Sequence, residues 1–285
     1  MKIIKSKGKI EIVSCEDFNI THIMECGQVF AYQKIDDVYY CFPKNKLCKV
    51  SKTQNGFLIE CDDEVFFENY FDLKTDYSSL KKELSSFGEL KNPVSFGSGI
   101  RILKQDILET IISFIVSANN NIKRITNTLL KLRQHFGKRI ENSFGVEFFQ
   151  FPTLSELLTL NEEFFKKIGA GYRASYLVSS IKFLSENENL FFGEEINKLE
   201  TKELLENLLK LKGVGRKVAE CILLFGYGRR DVFPVDTWIK KVFTEDLKIA
   251  DVKDASKMCD ILIRRYGNLS GYAQQYLFYS KRENG

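Results

Sequence analysis

Lys217 opens an apolar helical run, Lys217-Val-Ala-Glu-Cys-Ile-Leu-Leu-Phe225, directly after Gly213-Val-Gly-Arg216. An amine at the N-terminal end of a helix, with Arg216 beside it, lies in positive potential. That potential disfavours the ammonium form and suits a nucleophile. Nineteen residues further on, Pro234-Val-Asp236-Thr-Trp238 places a carboxylate at another helix start. There it can cap the helix and also face a developing positive charge. Each residue has a plainer use as well: the lysine as a phosphate contact, the aspartate as a cap alone. Cys221 follows Lys217 by four residues, and Phe278 follows Gln274 by four, so each pair shares a helix face. A thiol, an aromatic ring and an amide of this kind can sandwich a flat heterocycle and read its edge. Asn119, Arg124, Tyr172 and Arg173 fall at helix breaks or starts. Their types suit filling a gap in a base stack and bonding an orphaned base.

These residues need elements to hold them. Thr201 to Lys210 carries leucines at 204, 205, 208 and 209 and reads as a helix. Joined by Leu211-Lys-Gly-Val-Gly215 to the helix of Lys217, it forms a helix-hairpin-helix over 201–226. Gly213 and Gly215 permit positive φ and close approach of a phosphate, and the amides of the second helix then face that anion. Further helices are expected over 107–117, from 122 to Gly137, from a capping box at Thr153 and Glu156, from the Gly169-Ala-Gly171 break to about 186, over 255–266 and from 271. Residues 1 to about 72 have short aromatic-rich runs at 29–34, 37–42, 46–50 and 56–61, and Gln54-Asn-Gly56 suits a hairpin turn. They read as an antiparallel sheet. Within it, Cys26-Gly-Gln-Val-Phe30 stands out because Gly27 permits close backbone approach.

The 285 residues, 44% hydrophobic with only 4 prolines, suit a globular chain of two or three subdomains. No apolar stretch is long enough to span a bilayer, and the first residues lack a long apolar segment, so a cytoplasmic protein is expected. The seven cysteines, Cys15, Cys26, Cys41, Cys48, Cys61, Cys221 and Cys259, contain no Cys-x-x-Cys and suit reduced thiols. The wide spacing of the last two excludes a C-terminal iron–sulfur cluster, and two histidines make a histidine metal site improbable. The net charge is +4, but residues 111–140 contain no acid and six cations: Lys123, Arg124, Lys131, Arg133, Lys138 and Arg139. A second basic zone holds Lys210, Lys212, Arg216, Lys217, Arg229, Arg230, Lys240 and Lys241. Such zones suit a polyanionic partner.

In this order along the chain, Cys26-Gly-Gln-Val-Phe30, Ile100-Arg-Ile-Leu-Lys-Gln-Asp106, Ser113 to Ile125, Gly171-Tyr-Arg-Ala174, Gly213 to Cys221, Phe233-Pro-Val-Asp236 and Gly271 to Phe278 resemble the 8-oxoguanine DNA glycosylase/AP lyases of the helix-hairpin-helix–GPD superfamily. The resemblance implies an α+β chain with an N-terminal antiparallel sheet domain (1–85) and two helical domains. One would span 106–205; the other would comprise 86–105 and 206–285, with the hairpin and the Pro-Val-Asp motif. It further implies Lys217 as nucleophile and Asp236 as the essential carboxylate. Gly27 would supply the carbonyl that accepts the N7 hydrogen of 8-oxoguanine, Gln274 would read the pairing edge, and Cys221 and Phe278 would be the walls. Asn119 and Tyr172 would fill and wedge the stack, while Arg124 and Arg173 would grip the estranged cytosine. Gly213, Gly215 and Trp238 correspond to DNA-backbone contacts, and the carbonyls of Leu209, Leu211 and Val214 to a hairpin cation site. No redox cofactor is implied; the partner would be duplex DNA, bound by a monomer. Two positions depart from the pattern: Lys212 stands where proline is frequent, and Trp238 where eukaryotic members have histidine. An adenine or thymine-glycol glycosylase would carry the four-cysteine cluster, an alkylated-base glycosylase would lack the hairpin lysine, and a non-catalytic hairpin protein would bind DNA without a covalent adduct.

Overall fold

In a computed structural model, which describes residues 1–13 and 16–284, the chain opens with β1 (Lys2–Ser6), β2 (Lys9–Val13), α1 (Ile20–Glu25), β3 (Tyr32–Ile35), β4 (Val38–Cys41), β5 (Cys48–Lys52) and β6 (Gly56–Cys61). There follow α2 (Glu64–Tyr70), α3 (Tyr77–Ser86), α4 (Lys91–Phe96), α5 (Ile107–Ser117), α6 (Ile122–Phe136), α7 (Leu154–Leu157), α8 (Glu162–Lys167) and α9 (Arg173–Glu186). The chain then forms α10 (Thr201–Leu209), α11 (Arg216–Phe225), α12 (Thr237–Lys241), α13 (Ala255–Tyr266) and α14 (Ser270–Asn284). None of these helices is long and apolar enough to cross a membrane. Residues 1–41, 48–104 and 228–285 form one compact unit, and 42–47 with 105–227 form a second. The hairpin helices, expected to group with 206–285, cluster instead with 105–200. The physical reason is the burial of α11 over Val218 to Phe225, which packs it on α5 as well as on α10.

The first unit holds a six-stranded antiparallel sheet in the order β1-β2-β6-β5-β4-β3. In β2, Ile10 and Ile12 are buried and alternate with exposed Lys9 and Glu11, the period-two pattern of a half-buried strand. The Gln54-Asn-Gly56 segment joins β5 to β6, with Thr53 N–H donating to the Gly56 carbonyl at 2.9 Å. Gly56 is required by close approach: a Cβ there would lie 1.8 Å from the Ile12 carbonyl oxygen. The same unit contains a helical layer. Leu84, Leu90, Val94, Phe233, Ile239, Phe243, Met258, Leu262, Tyr266 and Tyr276 share one core with Cys26.

Sheet-side loops and helical layer meet at Arg101, which is fully buried. Its Nε donates to Phe71 O at 3.0 Å, Nη1 to Asp17 O at 2.9 Å, and Nη2 to Thr75 O at 2.9 Å and to Asp72 O. The guanidinium also lies 4.0 Å from the Tyr77 ring centroid. Its own carbonyl accepts from Gln28 Nε2 at 2.8 Å.

In the second unit the basic window of 111–140 contains a structural cation. Arg133 is buried, pairs with Glu109, donates to Phe149 O at 2.9 Å, and lies 4.9 Å and 5.1 Å from the rings of Phe42 and Phe151. Lys138 pairs with Glu156 at 2.5 Å and Arg139 with Glu147 at 2.8 Å. Half of the six cations are therefore in ion pairs within the fold, and the exposed cations outside those pairs are Lys123, Arg124 and Lys131 of α6.

Arg101→Met should remove the donors of four carbonyls at once, three of them buried. We expect a loss of at least about 3 kcal/mol of unfolding free energy, because each orphaned buried acceptor costs about 1–3 kcal/mol. Urea denaturation of the full chain measures it; a loss below about 1 kcal/mol would contradict the role given to Arg101.

Candidate active site and nucleic-acid interface

The hairpin of the second unit is built around two unlike glycines. Gly213 adopts φ +82°, and a Cβ there would lie 2.4 Å from the Tyr176 ring, so both its conformation and its packing demand glycine. Gly215 is the N-cap of α11 at φ −89°, no side chain among the described residues caps the helix, and a Cβ would meet none of their atoms within 4 Å. The amides at the start of α11 thus lie beside open space, the arrangement that receives a phosphate. At Lys212 the turn is tied to α9, because the Lys212 carbonyl accepts from Ser180 Oγ at 3.0 Å. Leu211 O accepts from Val214 N–H at 3.1 Å.

Lys217 is half-buried in the first turn of α11, with Nζ 5.9 Å from the Phe114 ring centroid of α5. Cys221 is buried one turn later. Arg216 is paired at 3.0 Å with Glu220, which is itself buried, so this neighbouring cation is partly neutralised and the helix end supplies the remaining positive field.

Between α5 and α6 the chain turns through Asn119, exposed and at φ +48°. Arg173, at the start of α9, holds that turn. Its Nε donates to Ala118 O and its Nη2 to Asn119 O, both at 2.6 Å, while Nη1 donates to Ala170 O at 3.4 Å. Tyr172 stacks on the Arg173 guanidinium at 4.4 Å, donates its hydroxyl to Ala118 O at 3.3 Å, and remains 54% exposed. Asn121 caps α6 by accepting from Arg124 N–H at 3.0 Å, and the Arg124 side chain is exposed. The structure therefore brings Asn119, Tyr172 and Arg173 together, and places Arg124 in the first turn of the adjoining helix.

In the first unit, Gly27 follows α1 with φ +81°. A Cβ there would lie 3.1 Å from Phe278 Cε1 and 3.2 Å from Arg282 Nη1. Gln274, one turn before Phe278 on α14, is buried; its Nε2 donates to Pro234 O at 3.3 Å and its Oε1 has no hydrogen-bond partner among the described residues. A buried acceptor left unpaired costs free energy unless a ligand supplies the donor. Pro234 leads into Asp236, whose Oδ1 caps α12 by accepting from Ile239 N–H at 2.9 Å. Lys241 Nζ lies 4.8 Å from the Trp238 ring centroid. Gly27, Gln274, Phe278 and the Pro-Val-Asp236 turn are thus gathered in one unit.

Three side chains around Gly27 did not stand out in the sequence. Gln28 is fully buried, donates to Ile23 O at 2.9 Å and to Arg101 O, and accepts from Leu103 N–H at 2.9 Å. Gln275 donates to Cys26 O at 2.8 Å, and Arg282 Nη2 donates to Glu25 O. Arg282 could have been found by continuing the four-residue spacing Gln274, Phe278, Arg282; the glutamines carry no comparable signal. Burial pushes the Cys26 thiol up to about 11, so it packs as a neutral thiol. Cys15 lies outside the described residues. The other six cysteines are buried thiols, and among the described residues they form no disulfide and no group of His, Cys, Asp or Glu could hold a metal ion.

Fold and site define a helix-hairpin-helix DNA-repair protein. Residues 11–111 match the 8-oxoguanine DNA glycosylase N-terminal domain, and residues 112–265 match the HhH-GPD superfamily base excision DNA repair proteins. The chain belongs to the HhH-GPD superfamily of base excision DNA repair proteins. It is similar to the N-glycosylase/DNA lyase OGG1 of Arabidopsis thaliana, 36% identical over 71% of this chain and 56% of that protein. It is likewise similar to a probable N-glycosylase/DNA lyase of Methanothermobacter thermautotrophicus, 30% identical over 78% of this chain and 74% of that protein. Among solved structures, Clostridium acetobutylicum 8-oxoguanine glycosylase/lyase in complex with double-stranded DNA containing cytosine opposite 8-oxoguanine aligns with a TM-score of 0.91 and 37% identity. That alignment covers 100% of this chain and 98% of that one. The chain spans little more than half the length of the Arabidopsis relative.

The two hairpin glycines should separate folding from binding. Gly215→Ala should keep unfolding free energy within about 1 kcal/mol and still weaken binding to a duplex oligonucleotide by about tenfold, since a methyl group would occupy the open space. Gly213→Ala should lose both stability and binding. Fluorescence anisotropy and thermal melting measure the pair; Gly215→Ala with unaltered affinity would remove that backbone from the interface.

Proposed function

We propose that this protein excises 8-oxoguanine lying opposite cytosine in duplex DNA and then nicks the strand at the resulting abasic site. The observation that carries this reading is the buried, unpartnered Gln274 Oε1, one turn from Phe278, with Phe278 against Gly27. An amide acceptor, a flat ring and a backbone turn suit a purine turned out of its stack. The likeness to the clostridial 8-oxoguanine glycosylase/lyase over the whole chain supports the same substrate. Chromosomal DNA in the cytoplasm is the site of action in this reading, and the protein acts as a monomer.

The damaged nucleotide is flipped out, at a cost of a few kcal/mol. Tyr172 and Asn119 enter the gap, and the exposed Arg124 engages the estranged cytosine. Arg173 serves there by holding the Asn119 turn, since all three of its guanidinium nitrogens already bond carbonyls. Asp236 faces the positive charge that grows on the sugar as the glycosidic bond breaks. Lys217, as the neutral amine, forms a bond to C1′ while 8-oxoguanine leaves with the bonding electron pair and gains a proton. Loss of a proton from nitrogen and ring opening give the Schiff base. Removal of a C2′ proton then expels the 3′ phosphate by β-elimination, and water releases Lys217. Cys221 and Phe278 are the walls of the base pocket. No redox step occurs, so no redox cofactor is needed.

Selectivity requires a hydrogen-bond reader. Guanine and its 8-oxo form differ at N7, which carries a hydrogen only in the lesion. A Gly27 carbonyl facing N7 meets a donor in one base and a lone pair in the other, a mismatch of the kind that rejects the wrong partner by about 10⁴–10⁵. A methylene-sized difference in shape would give only about 10–200-fold.

Gly213 and Gly215 receive backbone phosphate at the hairpin, and Trp238 contacts the backbone near Asp236. The carbonyls of Leu209, Leu211 and Val214 suit a hairpin cation. Leu211 O already accepts one hydrogen bond, but a carbonyl has two lone pairs, so a cation could still be ligated there.

Borohydride should trap a covalent adduct between the wild-type protein and an 8-oxoguanine:cytosine duplex, and Lys217→Gln should give none. Asp236→Asn keeps a good N-cap residue, so melting should shift by no more than about 1 kcal/mol while excision falls at least about 100-fold. Equal decline of melting and excision would reduce Asp236 to a cap. Arg124→Ala should flatten the preference for cytosine across duplexes with 8-oxoguanine opposite each base; an undiminished preference would take Arg124 out of that role.

A further inference from the structure

The stripe Gln274, Phe278 on α14 has a third member, Arg282, which none of the roles above uses. Its contacts converge on Gly27. Nη2 donates to Glu25 O, at the end of α1, and lies 2.7 Å from Glu283; Nε donates to Glu283 Oε1 at 2.8 Å. The guanidinium carbon lies 5.3 Å from the Phe278 ring centroid and 5.7 Å from that of Tyr279. Nη1 is buried, has no hydrogen-bond partner among the described residues, and lies 3.2 Å from where a Cβ on Gly27 would stand. The side chain is 16% exposed.

Three carbonyls ahead of Gly27 are each bound by a side chain. Ile23 O takes Gln28 Nε2, Glu25 O takes Arg282 Nη2, and Cys26 O takes Gln275 Nε2. Two of those three donors come from α14, the helix that carries Gln274 and Phe278. The peptide planes leading into Gly27 are therefore referenced to the same helix as the pocket wall. A guanidinium does this as a lysine would not, because its planar fork binds a carbonyl with one nitrogen while its face lies on an aromatic ring.

We propose that Arg282 is a positioning residue that sets specificity, fixing the Gly27 carbonyl and the Phe278 ring relative to each other for reading the lesion base. The proposal rests on the reading of this protein as an 8-oxoguanine glycosylase. The contacts of Arg282 are with the groups around Gly27 and Phe278, so its influence falls on the step that needs a base in the pocket. Strand nicking at an abasic site, which has no base to read, does not depend on it. The buried, unpaired Nη1 fits this role: the guanidinium is held by the groups it braces, at the expense of one of its own hydrogen bonds.

The test compares wild type, Arg282→Met and Arg282→Lys on two duplexes, one with 8-oxoguanine opposite cytosine and one with a preformed abasic site opposite cytosine. Single-turnover excision on the first should fall on the order of 10- to 100-fold in both variants, the loss expected from one charge-assisted hydrogen bond. Nicking of the second should be unchanged. Equal losses on both duplexes would make Arg282 a general structural residue and overturn the proposal, as would wild-type excision by Arg282→Met. Full excision by Arg282→Lys would leave charge alone as the cause and overturn the geometric role. A wild type that nicks the abasic duplex but leaves 8-oxoguanine in place would instead refute the substrate reading, and the proposal with it.

Discussion

A fully buried guanidinium with four carbonyls to satisfy is the constraint from which the first unit is assembled. Arg101 ties the Asp17, Phe71, Asp72 and Thr75 backbones to one point, the first between β2 and α1 and the other three between α2 and α3. Burying a cation is tolerable only when its donors are taken and its face is covered, here by Tyr77. The same residue's carbonyl holds Gln28, and Gln28 holds the end of α1. The turn at Gly27 is thus the outer end of a hydrogen-bond network that begins in the core. If this loop presents one carbonyl to a flat base, as proposed, its accuracy comes from that network rather than from its own residues.

In the proposed reading the second unit solves a different problem, the reception of phosphate, with backbone instead of side chains. The α11 amides beside Gly215 carry no side-chain cap, and the glycine leaves them uncovered. Charge is used sparingly around them. Arg216 pairs with Glu220, and Arg133, Lys138 and Arg139 pair with Glu109, Glu156 and Glu147. A count of cations along the chain therefore overstates the electrostatic footprint. Two of the cations that remain exposed, Lys123 and Arg124, stand at the start of α6, next to the Asn119 turn, where the proposed reading places an estranged base.

Legibility in the sequence followed the range of the interactions. The bounds of α5 and α13, the capping box at Thr153 and the Gly137 end of α6 depend on neighbours three or four residues away, and they emerged where expected. The sheet was legible as antiparallel, but β1, β2 and the short helix α1 were not read singly, because five-residue runs carry little periodicity. The grouping of the hairpin with 105–200 depended on which surfaces α11 buries. That is a property of the packed helix, and it shifted a boundary drawn from motif order.

By itself the sequence determined the chemistry on offer: a lysine at a glycine-preceded helix start, an aspartate at a second helix start, and a glutamine and phenylalanine one turn apart. These follow from local spacing, which the backbone converts directly into shared faces and caps. Only the tertiary structure decided which groups are already engaged. It spent Arg173 on Ala118 and Asn119, left Gln274 Oε1 buried and unpaired, and set Arg282 against Gly27. Residues 27 and 282 are at opposite ends of the chain. No local pattern can encode a contact between them, because it exists only once α14 has packed beside α1 on a common core.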